Sequence, residues 1–135
     1  MVDYFEWSDD YSVSVRKFDD QHRGMINLIN AMIFAVEEKL DRGATENIIM
    51  NVLEFTSSHF RQEEKILEET GFCEYYNHRR LHEELLRSAF EYNDLYRNNI
   101  IEGANFALYL MGWVLLHINK EDKKYTAHLN SLGIC

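Results

Sequence analysis

The sequence contains no proline and only two cysteines, and both shortages narrow the kind of protein it encodes. Cys73 and Cys135 lie far apart in the chain and form no Cys-x-x-Cys motif. This excludes a disulfide-rich scaffold and a zinc site built from thiolates. We expect two ordinary thiols, with redox sensing at Cys135 as the alternative. Without proline, glycine becomes the main residue that marks the ends of segments.

Positive charge is also scarce, because 14 lysines and arginines face 23 aspartates and glutamates, for a net charge of -9. This balance opposes binding to nucleic acid or to an anionic membrane surface. Long hydrophobic runs are missing too, since the longest, residues 106–116, is too short to cross a bilayer. The N-terminus is acidic, whereas a signal peptide begins with basic residues. We therefore expect a cytoplasmic protein with no nucleic-acid or membrane partner.

Apolar residues make up 46% of the chain, which suits a single folded domain over residues 1–135. Gly43, Gly71 and Gly103 divide the chain into four segments, each with apolar residues at helical spacing, and we expect these glycines to end helices. Short links favour an all-α, antiparallel up-down-up-down four-helix bundle. Residues 1–18, rich in aromatics, are predicted to pack on it as an N-terminal arm. The predicted helices cover about 19–41, 45–69, 75–99 and 103–121.

Five of the six histidines and one glutamate lie on the apolar stripes of these helices. All four helices contribute to this group, which comprises His22, His59, Glu63, His78, His82 and His117. In an antiparallel bundle, all six positions fall at the same end. Gly24 and Gly112 lie inside helices near two of these histidines, and close helix approach or space beside a site are both open explanations. His128 falls outside the pattern and is expected at the surface.

A single inward histidine is usually a hydrogen-bonded core residue, but five imidazoles and a carboxylate in one layer would leave polar groups unsatisfied. Transition metals resolve this, since neutral imidazole donates a lone pair and carboxylate balances charge. A further acid, Glu121 or Asp122, follows His117. Geometry does not choose between them, because Asp122 lies about 140° around an ideal helix from His117. Seven ligands exceed what one octahedral ion accepts, which favours two ions over one. Zinc fits less well than iron, because zinc prefers four ligands and has no redox role.

The assembled residues resemble the hemerythrin family over nearly the whole chain. The matching stretches are Trp7, FDDQHRGMINLIN, HFRQEEKIL, NHRRLH and the W-x-x-x-H-I-x-x-x-D that ends at Asp122. The combination of spacings is specific, although each piece alone is weak. The resemblance selects Asp122 as the seventh ligand. It implies two iron ions with a bridging oxo or hydroxo group.

The resemblance also implies a role for each ligand. One iron would be held by three histidines, namely His78, His82 and His117. The other would be held by His22 and His59, which leaves an open position for dioxygen, and Glu63 and Asp122 would bridge the pair. Pocket walls are expected from residues near the ligands in sequence: Met25, Phe60, Trp113 and Ile118. Asp19 and Tyr125 are candidates for fixing the tautomers of the ligand imidazoles, with a helix cap as the equal alternative for Asp19.

The function that the resemblance implies is reversible dioxygen binding, as a carrier, a store or a supplier, rather than enzymatic turnover. Two alternatives stay open. One is an oxygen- or redox-sensing domain that signals to a protein partner, and the other is a di-iron enzyme that handles peroxide or nitric oxide. A metal-free histidine phosphotransfer bundle is a rival at the level of the fold, but it needs one exposed histidine and not five buried ones.

Overall fold

A computed structural model describes residues 4–135, so residues 1–3 of the predicted arm lie outside the described part. Within it, the chain is all-α and contains no strand. The four long helices are α1 (Arg16–Glu37), α2 (Arg42–Glu69), α3 (Tyr75–Arg97) and α4 (Gly103–Lys120). A short helix α5 (Thr126–Ser131) follows, and 3₁₀ turns cover Asp9–Tyr11 and Asp122–Tyr125.

The long helices form the predicted antiparallel bundle. Each packs against its neighbours in the order α1, α2, α3, α4, with α4 returning to α1. The apolar stripes meet along the axis, where Ile29, Leu53 and Phe106 are almost completely buried. Burying side chains of this size stabilises the fold by roughly 1.5–3 kcal/mol each. No helix among residues 4–135 has the length and apolar content that crossing a membrane requires.

Only one of the three glycines that we expected at the C-terminal ends of helices is found there. Gly71, with φ +72°, does follow the end of α2, but Gly43 lies in the first turn of α2 and Gly103 begins α4. The left-handed positions after α1 and α3 are taken by Lys39 and Asn99. The sequence does not reveal this, because non-glycine residues adopt that conformation only when tertiary contacts hold them there.

The interior glycines have different surroundings. A Cβ atom on Gly24 would lie 2.6 Å from Cζ of Phe55, so the Phe55 ring on α2 packs over this glycine and occupies the place of a side chain. A Cβ atom on Gly112 would meet nothing within 4 Å, and Gly112 is exposed on the outer side of α4. Neither of our two explanations therefore accounts for Gly112.

The arm lies along α1 and is tied to the C-terminal segment. Asn30 bonds the backbone of Phe5 in both directions, at 3.0 and 2.8 Å. The Asp19 carboxylate accepts hydrogen bonds from the Ser12 hydroxyl at 2.6 Å and from the Val13 amide at 2.8 Å. Asp19 therefore anchors the arm, and α1 begins before it, at Arg16. Our expectation that Asp19 orients a ligand or caps the helix was wrong.

Candidate metal centre

All seven predicted ligands lie together at one end of the bundle, and their exposure is between 0% and 7%. His22 comes from α1, while α2 carries two of them, α3 two and α4 one. Asp122 is supplied by the turn after α4. The side chains form two groups whose candidate ligand atoms lie within 4.8 Å of one another. The groups are Glu63, His78, His82, His117 and Asp122, and His22, His59, Glu63 and Asp122.

The turn after α4 explains how Asp122 reaches the layer. The α-helix ends at Lys120, and the 3₁₀ turn that follows brings Asp122 inward, where it is 1% exposed. One of its oxygens lies 3.0 Å from Nε2 of His117, and the other lies 3.0 Å from Nε2 of His22. Glu121, the alternative acid, pairs with Lys124 at 3.1 Å instead.

Each carboxylate presents one oxygen to each half of the layer. Oε1 of Glu63 lies 2.5 Å from Nε2 of His78 and 3.3 Å from Nε2 of His82. Its Oε2 lies 3.2 Å from Nε2 of His59. Asp122 divides its two oxygens in the same way between the His117 side and the His22 side. Two carboxylates placed between two groups of imidazoles are suited to bridging a pair of cations.

The histidine tautomers favour positive charge within the layer. Nδ1 of His59 lies 2.5 Å from Oε1 of Gln21, and Nδ1 of His82 lies 3.1 Å from the Glu64 carboxylate. Both partners are acceptors, so each Nδ1 carries its proton and each Nε2 of the neutral ring carries a lone pair. Yet Nε2 of His59 lies 3.1 Å from Nε2 of His22.

The same contact occurs on the other side of the layer, where Nε2 of His82 lies 3.1 Å from Nε2 of His117. On each side of the layer, one of the two nitrogens therefore carries a lone pair, which must be satisfied by a proton on the other nitrogen or by a cation between them. Oδ1 of Asp122 is buried and makes no hydrogen bond with proper geometry among the described residues. The residues therefore fit a pair of metal ions.

The pKa values of the metal-free layer show the same demand for positive charge. Burial tends to lower the pKa of His22 and His78, but the nearby carboxylates of Asp122 and Glu63 raise the pKa to about 9 for His22 and about 10 for His78. Burial also opposes ionisation of Glu63 and Asp122, yet the surrounding histidines hold the pKa of both well below the usual range. Without metal, protons on imidazoles supply the charge that the carboxylates require.

The residues that orient the ligands were missed in the sequence. Gln21 accepts from His59 and Glu64 accepts from His82, so these two side chains fix the ring tautomers. Tyr125, which we expected in this role, donates to Oε2 of Glu63 at 3.0 Å and so holds a carboxylate and not a ring. The only signal for Gln21 and Glu64 is that each directly adjoins a ligand in sequence.

Aromatic rings cover the α3–α4 side of the layer. Phe60 stacks on His82 with centroids 3.8 Å apart and planes at 4°, and Trp113 stacks on His117 at 5.0 Å and 20°. Both line an apolar cavity inside the bundle that leaves about 20 Å³ for the centre of a water-sized sphere, enough for one small molecule. Met25 and Ile118, the other two predicted walls, are buried but are not among its lining residues.

The remaining histidine, His128, lies away from the layer. Its Nε2 is 3.1 Å from the Thr70 hydroxyl, and its ring packs on Phe72 with centroids 5.5 Å apart. It is half-buried and not fully at the surface as expected. His128 is therefore a suitable control position for experiments on the metal centre.

Comparisons with known proteins place the chain among relatives of known family and fold. Residues 13–129 match the family model described as "Hemerythrin HHE cation binding domain". A bacteriohemerythrin from Stenotrophomonas maltophilia is 30% identical over 131 residues, which cover 94% of this chain and 85% of that protein. A hemerythrin from Sipunculus nudus is 28% identical over 127 residues, with 91% and 92% covered. A crystal structure of wild-type hemerythrin superposes with a TM-score of 0.86 at 19% identity, covering 94% of this chain and 98% of that one, and supports the fold.

Proposed function

The chain belongs to the hemerythrin family of di-iron oxygen-binding proteins, and on this basis we propose that it binds dioxygen reversibly as a carrier, a store or a supplier. The observation that supports this most directly is the buried layer of five histidines and two carboxylates, in which each carboxylate faces both halves. The layer is rich in imidazole, and a small apolar cavity is lined by Phe60 and Trp113, the two rings that stack on His82 and His117. These features favour holding a small apolar ligand over transforming it.

We assign the ligands as follows. Three histidines would hold one iron, namely His78, His82 and His117, while His22 and His59 would hold the other. Glu63 and Asp122, whose carboxylates each face both groups of histidines, would be shared by the two ions. Because His22 and His59 are only two histidines, their side of the layer would be the one that accepts dioxygen. When bound, the iron pair supplies the coordination position and the electrons that dioxygen binding requires.

The protein's own contribution is to exclude water and protons. Phe60 is 1% exposed and seals the side of the layer above His82. The Tyr125 hydroxyl lies against Glu63, and burial raises its pKa well above the usual range. This hydroxyl therefore holds its proton and stays a hydrogen-bond donor. A dry, proton-poor surrounding disfavours the loss of bound oxygen as a reduced product.

A direct test uses the absorption spectrum after anaerobic loading with Fe(II). Exposure to air should produce charge-transfer bands that disappear when oxygen is removed, over repeated cycles. His128→Ala should behave like the wild type, because His128 lies outside the layer. His82→Ala should lose the reversible bands together with tight binding of one iron. Irreversible oxidation in the first cycle, or rapid turnover of added peroxide, would instead favour the enzymatic alternative.

Sensing is a second candidate function, because the turn that carries Asp122 contacts the arm. The Lys123 ammonium donates to the Asp10 carbonyl, and the Thr126 hydroxyl donates to the Val13 carbonyl at 2.8 Å. A change at the ligand layer therefore has a short path to the surface of the arm. Hydrogen exchange of residues 4–15, measured in the deoxygenated and oxygenated forms, tests this candidate. Equal exchange in both forms would argue against a signalling role for the arm.

A further inference from the structure

The outer face of α4 differs from the other helix surfaces in its lack of charge. No charged residue occurs between Glu102 and Lys120, although the whole chain has a net charge of -9. On α3, by contrast, exposed ion pairs such as Arg79–Glu83 and Arg80–Glu84 cover the surface. An uncharged exposed helix face on a strongly acidic protein is a site where another molecule avoids electrostatic repulsion.

The exposed residues of this face are symmetric about Gly112. In order they are Asn105, Leu108, Gly112, Leu116 and Asn119. The two leucines are each four positions from Gly112 (112 − 108 = 116 − 112 = 4). The two asparagines are each seven positions away (112 − 105 = 119 − 112 = 7), so all five lie on one face of the helix. Leu108 is 50% exposed and Leu116 is 63% exposed.

Gly112 itself has no role in packing the bundle. A Cβ atom there would meet nothing within 4 Å, while glycine inside a helix costs about 1 kcal/mol relative to alanine. A missing side chain on the outer side of a helix allows the backbone of a second helix to approach closely. Gly112 therefore marks the point at which such a helix would cross α4.

We propose that the α4 face, defined by these five residues, is the interface of a homodimer with two-fold symmetry. The α4 helices of two copies pack antiparallel and cross at Gly112. Leu108 then packs against the partner's Leu116, and Asn105 lies opposite the partner's Asn119. At the ends, Lys120 lies near the partner's Glu102, so the two charged residues that bound the uncharged stretch of α4 are complementary. A two-fold interface requires a self-complementary surface, and the symmetric order of residues supplies one.

A second copy fits this face better than an unrelated partner, because an unrelated partner would not require the residue order to be symmetric. The contact is formed by one helix from each copy, which places it at the small end of stable interfaces. We therefore expect a concentration-dependent dimer. Added salt should strengthen it, because salt screens the repulsion between two copies that each carry a net charge of -9.

Sedimentation velocity of the full, iron-loaded chain from about 5 µM to about 500 µM tests this proposal. The wild type should shift from monomer to dimer. Leu116→Lys places two like charges beside the two-fold axis and should raise the dimer Kd by more than about tenfold. The matched control is Leu132→Lys, at a residue that is 54% exposed beyond α5, and it should leave the dimer unchanged. A wild type that stays monomeric, or a dimer that persists in Leu116→Lys, would overturn the proposal.

Crosslinking tests the crossing point without relying on a charged variant. In a background with Cys73→Ser and Cys135→Ser, Gly112→Cys should form an intermolecular disulfide under mild oxidation. Glu91→Cys, on the exposed surface of α3, is the control. Equal rates of crosslinking for the two cysteines would contradict a dimer centred on Gly112.

Discussion

Replacing Glu64 with glutamine should raise the reduction potential of the iron bound to His82 by about 40–90 mV. The Glu64 carboxylate lies 3.1 Å from Nδ1 of His82 and is 19% exposed. Measured across the ring and one metal–nitrogen bond, the carboxylate charge lies roughly 7 Å from the iron. Its Coulomb interaction with one unit of charge on the iron is then about 2 kcal/mol at an effective dielectric constant near 20. Partial exposure lowers this toward about 1 kcal/mol. The negative charge stabilises the ferric state, so its removal makes the iron easier to reduce.

The opposite substitution can be made on the other side of the layer. His59, on the other iron, bonds the neutral amide of Gln21 at the equivalent ring position. Gln21→Glu should therefore lower the potential of the second iron, and the double exchange should reverse the order in which the two irons oxidise. Glu83→Gln, on the exposed side of α3, is the control for a change of charge far from the rings.

Anaerobic spectroelectrochemical titration measures the potentials, and Mössbauer spectroscopy shows which state each iron is in. A shift in Glu64→Gln no larger than that of the control, or a downward shift, would refute the electrostatic assignment. Loss of iron from Glu64→Gln would show that the carboxylate positions the ring and does not tune the charge, which would also refute it.

Three further predictions concern the layer and the glycines. The metal-free protein should be most stable between about pH 4.5 and about pH 6.5. It should lose stability as pH rises through about 9 and 10, because the pKa values of His22 and His78 are raised in the folded state, and it should lose stability in acid, because the pKa values of Glu63 and Asp122 are lowered. A flat melting temperature between pH 6 and pH 10 would contradict this. Tyr125→Phe removes a hydrogen bond to a buried carboxylate and should destabilise the protein by about 1.5–3 kcal/mol in urea unfolding, whereas no change would mean that the bond contributes nothing. Gly24→Ala should destabilise the fold, because the new methyl group would meet the phenyl ring of Phe55 on α2. Gly112→Ala should stabilise the monomer by up to about 1 kcal/mol, because nothing lies near the new methyl group and alanine favours the helix. Equal melting temperatures for the two variants would argue against both assignments.

The bundle and the histidine layer were accessible from sequence because both follow from helical periodicity. His22, His59 and His117 continue the apolar stripes of their helices, and an antiparallel arrangement places them at one height. Asp122 was not accessible from geometry, since its position depends on the 3₁₀ turn after α4, and only the family resemblance selected it. Its ligand role remains part of the proposed function.

The contacts between helices were the part that the sequence did not reveal. Gln21 on α1 orients a histidine on α2, and Glu64 on α2 orients one on α3, so neither pairing appears in the spacing within a helix. The helix ends were also misjudged, because Lys39 and Asn99 take the left-handed conformation that we had assigned to glycines. Tertiary contacts decide both features.

Titration of the metal-free chain with Fe(II) under anaerobic conditions tests the central claim most directly. The account predicts that two equivalents bind tightly to the wild type and to His128→Ala, and that His82→Ala binds fewer. Binding of a single equivalent to the wild type, or of two equally tight equivalents to His82→Ala, would contradict a centre in which seven buried side chains hold two irons.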